Sequence, residues 1–234
     1  MKNLIIIIPT YNEEKNIINL IKKIRDYLPV SKILIVDDTK NSKLDILLKD
    51  LNNLQVIIRK NKKGRGSAVL YGLKKSLKNK NLDMFIEMDA DLSHKPSELK
   101  RNIKFFKKNF CDLLISSRYL PKSKIFNWSL SRRIFSKLAN FLANFVLKIN
   151  VSDYTNGFRI YSRTAAQKIV IKCGKIGDGF IVLSEILLTI YQAKLKIKEI
   201  DSIFVNRVRG ESSVNFKLIL SSFFGLMKLW YLKK

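Results

Sequence analysis

Met84-Phe85-Ile86-Glu87-Met88-Asp89-Ala90-Asp91-Leu92-Ser93-His94-Lys95-Pro96, MFIEMDADLSHKP, runs from an apolar stretch straight into two carboxylates one residue apart. A short apolar run closed by turn chemistry reads as a buried β-strand, here over residues 84–88. At the strand exit, extended geometry turns side chains two residues apart to the same side, so Asp89 and Asp91 point together. Two carboxylates held together repel unless a cation lies between them. A hard divalent ion with oxygen ligands, Mg²⁺ or Mn²⁺, is the natural occupant, and it keeps open positions for phosphate oxygens. The competing structural reading is an Asx turn leading into the next helix, a role that Ser93 or Ser97 fills equally well.

Outward from this stretch, short β-branched runs alternate with helical periodicity. Strands are expected at residues 4–8, 33–36, 55–58, 84–88 and 113–116. Between them Ile17, Ile21, Ile24 and Leu28 recur at helical spacing, and residues 68–77 form a helix after a glycine turn. That alternation predicts an α/β domain with a mostly parallel central sheet flanked by helices. The portion up to about residue 119 reads as a nucleotide-binding α/β unit, and ligands of such sheets bind beyond the carboxyl ends of the strands. Three strand exits bear unusual residues: Pro9-Thr10-Tyr11-Asn12-Glu13, Asp37-Asp38 and Asp89-Ala90-Asp91. Three acidic strand ends converging on one edge point to a site. An aspartate pair after an apolar strand also opens haloacid-dehalogenase-type phosphohydrolases, but there the pair follows the first strand, and here it follows the fourth.

Beyond residue 120 come an apolar helix at 134–147, a glycine-rich turn at 173–179, a helix at 181–193 and an extended segment at 197–208. Gly64-Arg65-Gly66-Ser67-Ala68 opens a helix with exposed amides that suit an anion or a close ligand approach, although it lacks the third glycine and the lysine of a P-loop. Arg118, Arg132, Arg133, Arg207 and Arg209 stand at element ends, and arginine is the side chain suited to bidentate capture of phosphate.

The 234 residues hold 45 Lys plus Arg against 19 Asp plus Glu, a formal charge of +26, and 47% are hydrophobic. Disorder is excluded by that apolar content. The charge implies attraction to polyanions: nucleic acid, an anionic membrane or phosphorylated substrates. A compositional bias toward Lys, Asn and Ile would instead leave most lysines on solvated faces. Cys111 and Cys173 are far apart and His94 is the sole histidine, so a Cys/His zinc site is not expected. The opening MKNLIIIIPTYNEE reads as a buried strand rather than a signal peptide, which places the protein in the cytoplasm. No run reaches the roughly 18 to 20 apolar residues that cross a bilayer.

Taken in order, Pro9-Thr10-Tyr11-Asn12-Glu13, Val36-Asp37-Asp38, Gly64 to Ala68, Met88 to His94, Ser117-Arg118-Tyr119, Ser152-Asp153-Tyr154-Thr155-Asn156-Gly157-Phe158-Arg159 and Arg207-Val208-Arg209-Gly210-Glu211-Ser212 resemble the motifs of family 2 glycosyltransferases. The resemblance is closest to dolichyl-phosphate (polyprenyl-phosphate) mannose synthases and runs from about residue 4 to residue 214. It implies a GT-A, Rossmann-like nucleotide-binding fold over residues 1–214. It also implies a nucleotide-sugar donor such as GDP-mannose, a divalent metal, and a polyprenyl-phosphate acceptor. By position, Pro9, Tyr11, Glu13 and Asp38 would hold the nucleoside with Asp37 beside them. Asp89 and Asp91 would hold Mg²⁺ or Mn²⁺ and the donor diphosphate, with Ala90 touching the nucleotide through its backbone. Arg118 and one of Arg132 or Arg133 would bind the acceptor phosphate, and Arg207 would face donor diphosphate or acceptor. Of these, Asp91, Arg118 and Arg207 would take part in catalysis. Where relatives often place a glutamine two residues after the pair, Ser93 stands here, a weaker ligand that leaves water to complete a metal shell.

A phosphate monoester, with a second pKa of about 6, is already largely dianionic at neutral pH and needs no base to deprotonate it. That agrees with a chain whose one histidine tunes or caps a turn. The segment 215–234, with Trp230, Tyr231 and terminal lysines, reads as an amphipathic helix at an anionic membrane or against a small membrane-anchoring subunit, and the helix at 134–147 as either interfacial or core. The protein is thus expected to be cytoplasmic and peripheral to the membrane. Two alternatives stand: a UDP-sugar (glucose-type) transferase acting on polyprenyl phosphate or a glycan, and a basic nucleic-acid-binding domain. The second expects aromatics interleaved with Lys/Arg, whereas Phe105, Phe106, Phe110, Phe141 and Phe145 follow helical spacing.

Overall fold

The computed structural model describes residues 3–60, 64–177, 181–206 and 216–233. Strand β1 (Leu4–Thr10) is buried along its whole length, as a central parallel strand covered on both faces must be. It lies between β2 (Lys32–Asp37) and β4 (Met84–Glu87), with β3 (Leu54–Ile58) outside β2. On the other side β7 (Arg159–Ser162) separates β4 from β5 (Leu113–Ser117), and β8 (Ile197–Asp201) forms the edge, giving the order β3-β2-β1-β4-β7-β5-β8. All neighbours run parallel except β7, which is antiparallel to both its partners.

The two-residue alternation of the strands divides the core. Ile5, Ile7, Leu34, Val36 and Phe85 face one layer, which contains α3 (Arg65–Ser76), α6 (Arg163–Lys172) and α7 (Ile181–Gln192). Leu4, Ile6, Ile8, Ile33, Ile35 and Ile86 face the other, which contains α1 (Glu14–Tyr27) and α4 (Leu99–Lys108). Each fully buried isoleucine here contributes about 1.5–3 kcal/mol relative to exposure. The expected mostly parallel α/β sheet is present, and its predicted strands agree with β1 to β5 within a residue or two.

The second half is not an appendage, because β7 and β8 complete the sheet. The extended segment expected at 197–208 is also not one strand. At Ser202 the chain leaves the large sheet, where Glu98 accepts from Ser202 Oγ (2.6 Å) and from the Ile203 amide (2.9 Å). It then forms β9 (Ile203–Val205), which pairs in parallel with β6 (Lys124–Phe126). A short α2 (Leu44–Leu47) follows β2.

Two further helices pack on each other. On α5 (Leu130–Leu147), capped by Ser129 Oγ accepting from the Arg132 amide, Asn140, Ala143 and Leu147 are buried. Leu130, Ile134, Leu138, Phe141 and Phe145 are exposed. Its apolar stripe therefore faces outward. Helix α8 (Phe216–Lys233) packs on α5 and α7, burying Leu226 and Leu229 while Phe224, Met227, Trp230 and Tyr231 remain exposed. Among the described residues no helix is long and apolar enough to cross a membrane.

Candidate active site

Because β2, β1 and β4 are adjacent and parallel, their carboxyl ends share one edge, with Thr10 in register with Asp37. Asp37 is fully buried; its Oδ1 accepts from Thr10 Oγ1 (2.9 Å), the Thr39 amide (3.1 Å) and Thr39 Oγ1 (2.6 Å). Its Oδ2 is buried without a hydrogen-bond partner. Asp38 is gripped by Arg59, Nε to Oδ1 at 2.5 Å and Nη2 to Oδ2 at 2.6 Å. Arg59 also donates to Ser67 Oγ (2.9 Å) and the Gly64 carbonyl (3.2 Å), tying the second strand exit to the start of α3. Pro9 is buried within β1 and Tyr11 is exposed beyond it. Glu13 stands at the start of α1, accepting from Asn16 Nδ2 at 2.6 Å.

At the exit of β4, Asp89 and Asp91 are half-buried around a buried Ala90. The following Leu92 holds φ +63°, a left-handed conformation strained for a bulky side chain. Within this turn Asp91 Oδ1 accepts from the Ser93 amide (3.1 Å), and the Asp89 amide donates to His94 Nδ1 (3.0 Å). Nδ1 is thus an acceptor, so the ring proton lies on Nε2, which donates to Asn156 Oδ1 at 2.9 Å. The His94 ring stacks on Phe158 and meets the edge of Phe204. His94 builds the turn. Ser93 Oγ is buried and makes no hydrogen bond.

Arg65, the first residue of α3, reaches this turn. Its Nε donates to Asp89 Oδ1 at 2.8 Å, Nη2 lies 2.7 Å from the same oxygen, and Nη1 lies 2.6 Å from Glu87 Oε1. Burial by itself would lower the guanidinium's pKa, but the charges of Asp89 and Glu87 raise it above its ordinary value. Glu87 also accepts from Tyr161 OH at 2.5 Å, and burial together with that carboxylate pushes the phenol's pKa well up.

The arginine side of the site is built around Trp128. Arg118, buried at the end of β5, donates through Nε (2.8 Å) and Nη2 (2.7 Å) to the two oxygens of Asp153, and Nη2 also reaches Thr155 Oγ1 (2.6 Å). Its guanidinium lies 5.4 Å from the Trp128 ring and 5.5 Å from Phe204. Arg132 covers the same indole at 4.4 Å and donates to Asn206 Oδ1 (2.6 Å). Arg133 turns away, donating to the Ile125 carbonyl at 2.8 Å. Burial would lower the pKa of Arg118, but Asp153, with a smaller contribution from Asp89, raises it, so Arg118 lies within electrostatic reach of the acidic turn.

The structure therefore brings together the three strand exits, Arg118 and Arg132, and sets Arg133 apart. Arg207 lies outside the described residues. Sequence reasoning passed over Arg59, Arg65, Asp153 and Trp128. Arg65 and Asp153 stood inside quoted motifs, whereas Arg59 and Trp128 offered no local pattern.

The model of the family described as Glycosyl transferase family 2 matches residues 5–170, a span from β1 into α6. The chain belongs to that family. This glycosyltransferase is 31% identical over 225 residues to a polyprenol monophosphomannose synthase of Mycolicibacterium smegmatis, covering 94% of this chain and 84% of that protein. It is 32% identical over 216 residues to an undecaprenyl-phosphate mannosyltransferase of Micrococcus luteus, covering 89% of this chain and 86% of that one. Among solved structures, glucosyl-3-phosphoglycerate synthase from Mycobacterium tuberculosis, crystallised with Mn²⁺, UDP and glucosyl-3-phosphoglycerate, superposes with a TM-score of 0.65 at 16% identity, over 98% of this chain and 79% of that one. S. aureus TarS 1–349 with UDP-GlcNAc gives 0.62 at 20% identity, over 100% of this chain and 66% of that one. At such identities the structural likeness shows the fold alone, which is the GT-A α/β fold of this glycosyltransferase.

Proposed function

We propose that this glycosyltransferase moves mannose from GDP-mannose to the phosphate of a polyprenol at the cytoplasmic face of a membrane. The observation that carries the reading is the pairing of an acidic turn, Asp89-Ala90-Asp91, with two arginines stacked about Trp128. One side suits a cation and a diphosphate, and the other a second anion. The two relatives act, by their names, on polyprenol and undecaprenyl phosphates.

Asp89 and Asp91 fit a hard divalent ion by donor chemistry: two carboxylates, beside a His94 whose ring nitrogens are engaged by the Asp89 amide and by Asn156. Among the described residues no third His, Cys, Asp or Glu joins them in a metal-holding group. When bound, Mg²⁺ or Mn²⁺ offsets charge on the departing nucleoside diphosphate. The chain's own residues do the rest. Pro9, Tyr11, Glu13 and Asp38 stand at the strand exits where the nucleoside would be held, with the buried Asp37 beside them. Arg118, oriented by Asp153, and Arg132, oriented by Asn206, receive the acceptor phosphate and screen it from the donor's charge. For Arg207, outside the described residues, only the family resemblance speaks, and it assigns the side chain to the donor diphosphate or the acceptor. No general base is needed, because the attacking phosphate is already anionic.

The outward apolar stripe of α5 and the exposed Trp230 and Tyr231 of α8 would lie in the lipid interface, with the basic surface facing anionic headgroups. The test is transfer of labelled sugar to a short polyprenyl phosphate with Mn²⁺, comparing GDP-mannose with UDP-glucose. Mannose transfer is expected, and Asp91→Ala should abolish metal-dependent binding of GDP by calorimetry. Transfer from UDP-glucose alone would overturn the donor assignment, and unchanged GDP affinity in Asp91→Ala the metal assignment.

A further inference from the structure

Arg65 occupies the place where the acidic turn needs positive charge. It enters from α3, whose preceding Gly64 has φ +85°, and its tip passes so close to Gly157 that a Cβ there would lie 1.8 Å from Nη2. The path is built for this side chain. Of its three nitrogens only Nε closes a well-aligned hydrogen bond, to Asp89. The two Nη groups are buried and meet Asp89 and Glu87 as close ion pairs without hydrogen-bond alignment. A guanidinium so placed neutralises Asp89 before anything binds.

We infer that Arg65 is a positioning residue that holds Asp89 in place of a divalent cation, so that the cation enters well only together with a nucleoside diphosphate. The inference rests on the reading of Asp89 and Asp91 as the metal carboxylates. Free Mn²⁺ must share Asp89 with a positive charge a few ångströms away, which opposes it. A diphosphate brings negative charge that offsets both cations.

Electron paramagnetic resonance titration of Mn²⁺ without and with GDP, a binding readout independent of turnover, tests this in the full chain. Removing the competing charge with Arg65→Gln should tighten Mn²⁺ binding in the absence of GDP roughly tenfold, and should shrink the tightening that GDP confers on the wild type. A merely structural role predicts the opposite, weaker Mn²⁺ binding from a loosened Asp89. Unchanged or weaker Mn²⁺ binding by Arg65→Gln therefore overturns the inference. Should Arg65→Gln fail to fold, Gly157→Ala, which displaces the Arg65 tip, is read in the same way and with the same two outcomes. Wild-type protein that binds no Mn²⁺ even with GDP overturns the metal reading itself. Normal wild-type binding without the Arg65→Gln effect overturns only the role of Arg65.

Discussion

Burial alone would push the Asp153 carboxyl's pKa up, but the charge and hydrogen bonds of Arg118 hold it below the ordinary carboxylate value. A folded pKa below the unfolded one contributes stability that is present at neutral pH and lost as pH falls through the folded pKa. Arg118→Ala leaves a fully buried carboxylate without its counter-ion, a change that costs about 3–5 kcal/mol at neutral pH. In the variant, burial is opposed only by the backbone amides that still donate to Asp153, so its pKa rises, and acid protonates the group earlier and relieves the penalty. Urea unfolding should show the gap between wild type and variant narrowing from pH 7 to about pH 4, and parallel losses would show that Asp153 does not depend on Arg118. If Arg118 also receives the acceptor, KM for polyprenyl phosphate should rise far more than KM for the donor. At this scale the sequence spoke unevenly. Asp89, Asp91 and Arg118 were legible because an acidic pair or an arginine at a strand end is a local pattern. The Asp38–Arg59 pair joins residues from two strand exits that nothing local relates. His94 was legible as a turn residue, and its two ring nitrogens hold Asp89 and Asn156.

Helix α5 illustrates what periodicity can and cannot decide. Leu130, Ile134, Leu138, Phe141 and Phe145 recur at three- and four-residue steps, the pattern that in most helices faces a core. The sequence left core and interface open for this helix because the period is the same for both. What settles its direction is supplied by distant residues: the Tyr154 amide donates to Asn140 Oδ1 at 2.6 Å, and Tyr119 OH donates to Ser136 Oγ at 2.6 Å, which turns the polar face inward. The helix bears Arg132, Arg133 and Lys137 and no acidic residue, so its exposed stripe is flanked by charge suited to anionic lipid. The double variant Phe141→Glu, Phe145→Glu should lose co-sedimentation with phosphatidylglycerol vesicles by roughly tenfold or more. Its melting temperature should barely move, because these rings are 64% and 69% exposed. Undiminished sedimentation would remove α5 from the interface. Deleting α8 is a poorer test, since Leu226 and Leu229 belong to the same core as α7.

Over the whole molecule, the sequence marks the βα alternation of the first half clearly, because each of those strands is a short apolar run with a helix behind it. It conceals how that half is closed. Strand β7 is the four residues Arg159–Ser162, adjacent to a loop of polar motif residues, and its place depends on hydrogen bonds to strands more than 40 residues away in sequence. The reading of residues up to about 119 as a nucleotide-binding unit is therefore incomplete as a folding unit. Without β7, β4 and β5 have no partner between them, and without β8 the outer edge of β5 is bare. The buried Arg159 reinforces the dependence. It donates to the carbonyls of Asn156 (2.9 Å), Tyr154 (2.8 Å) and Leu183 (2.8 Å), tying the Asn156 loop behind the acidic turn to α7. A fragment of residues 1–119 should consequently fail to fold: its apolar strand edges lie open to pairing with other chains, and it should aggregate or give collapsed amide dispersion by NMR. A well-dispersed spectrum with a cooperative melt from that fragment would show instead that the acidic strand ends can be assembled without the second half.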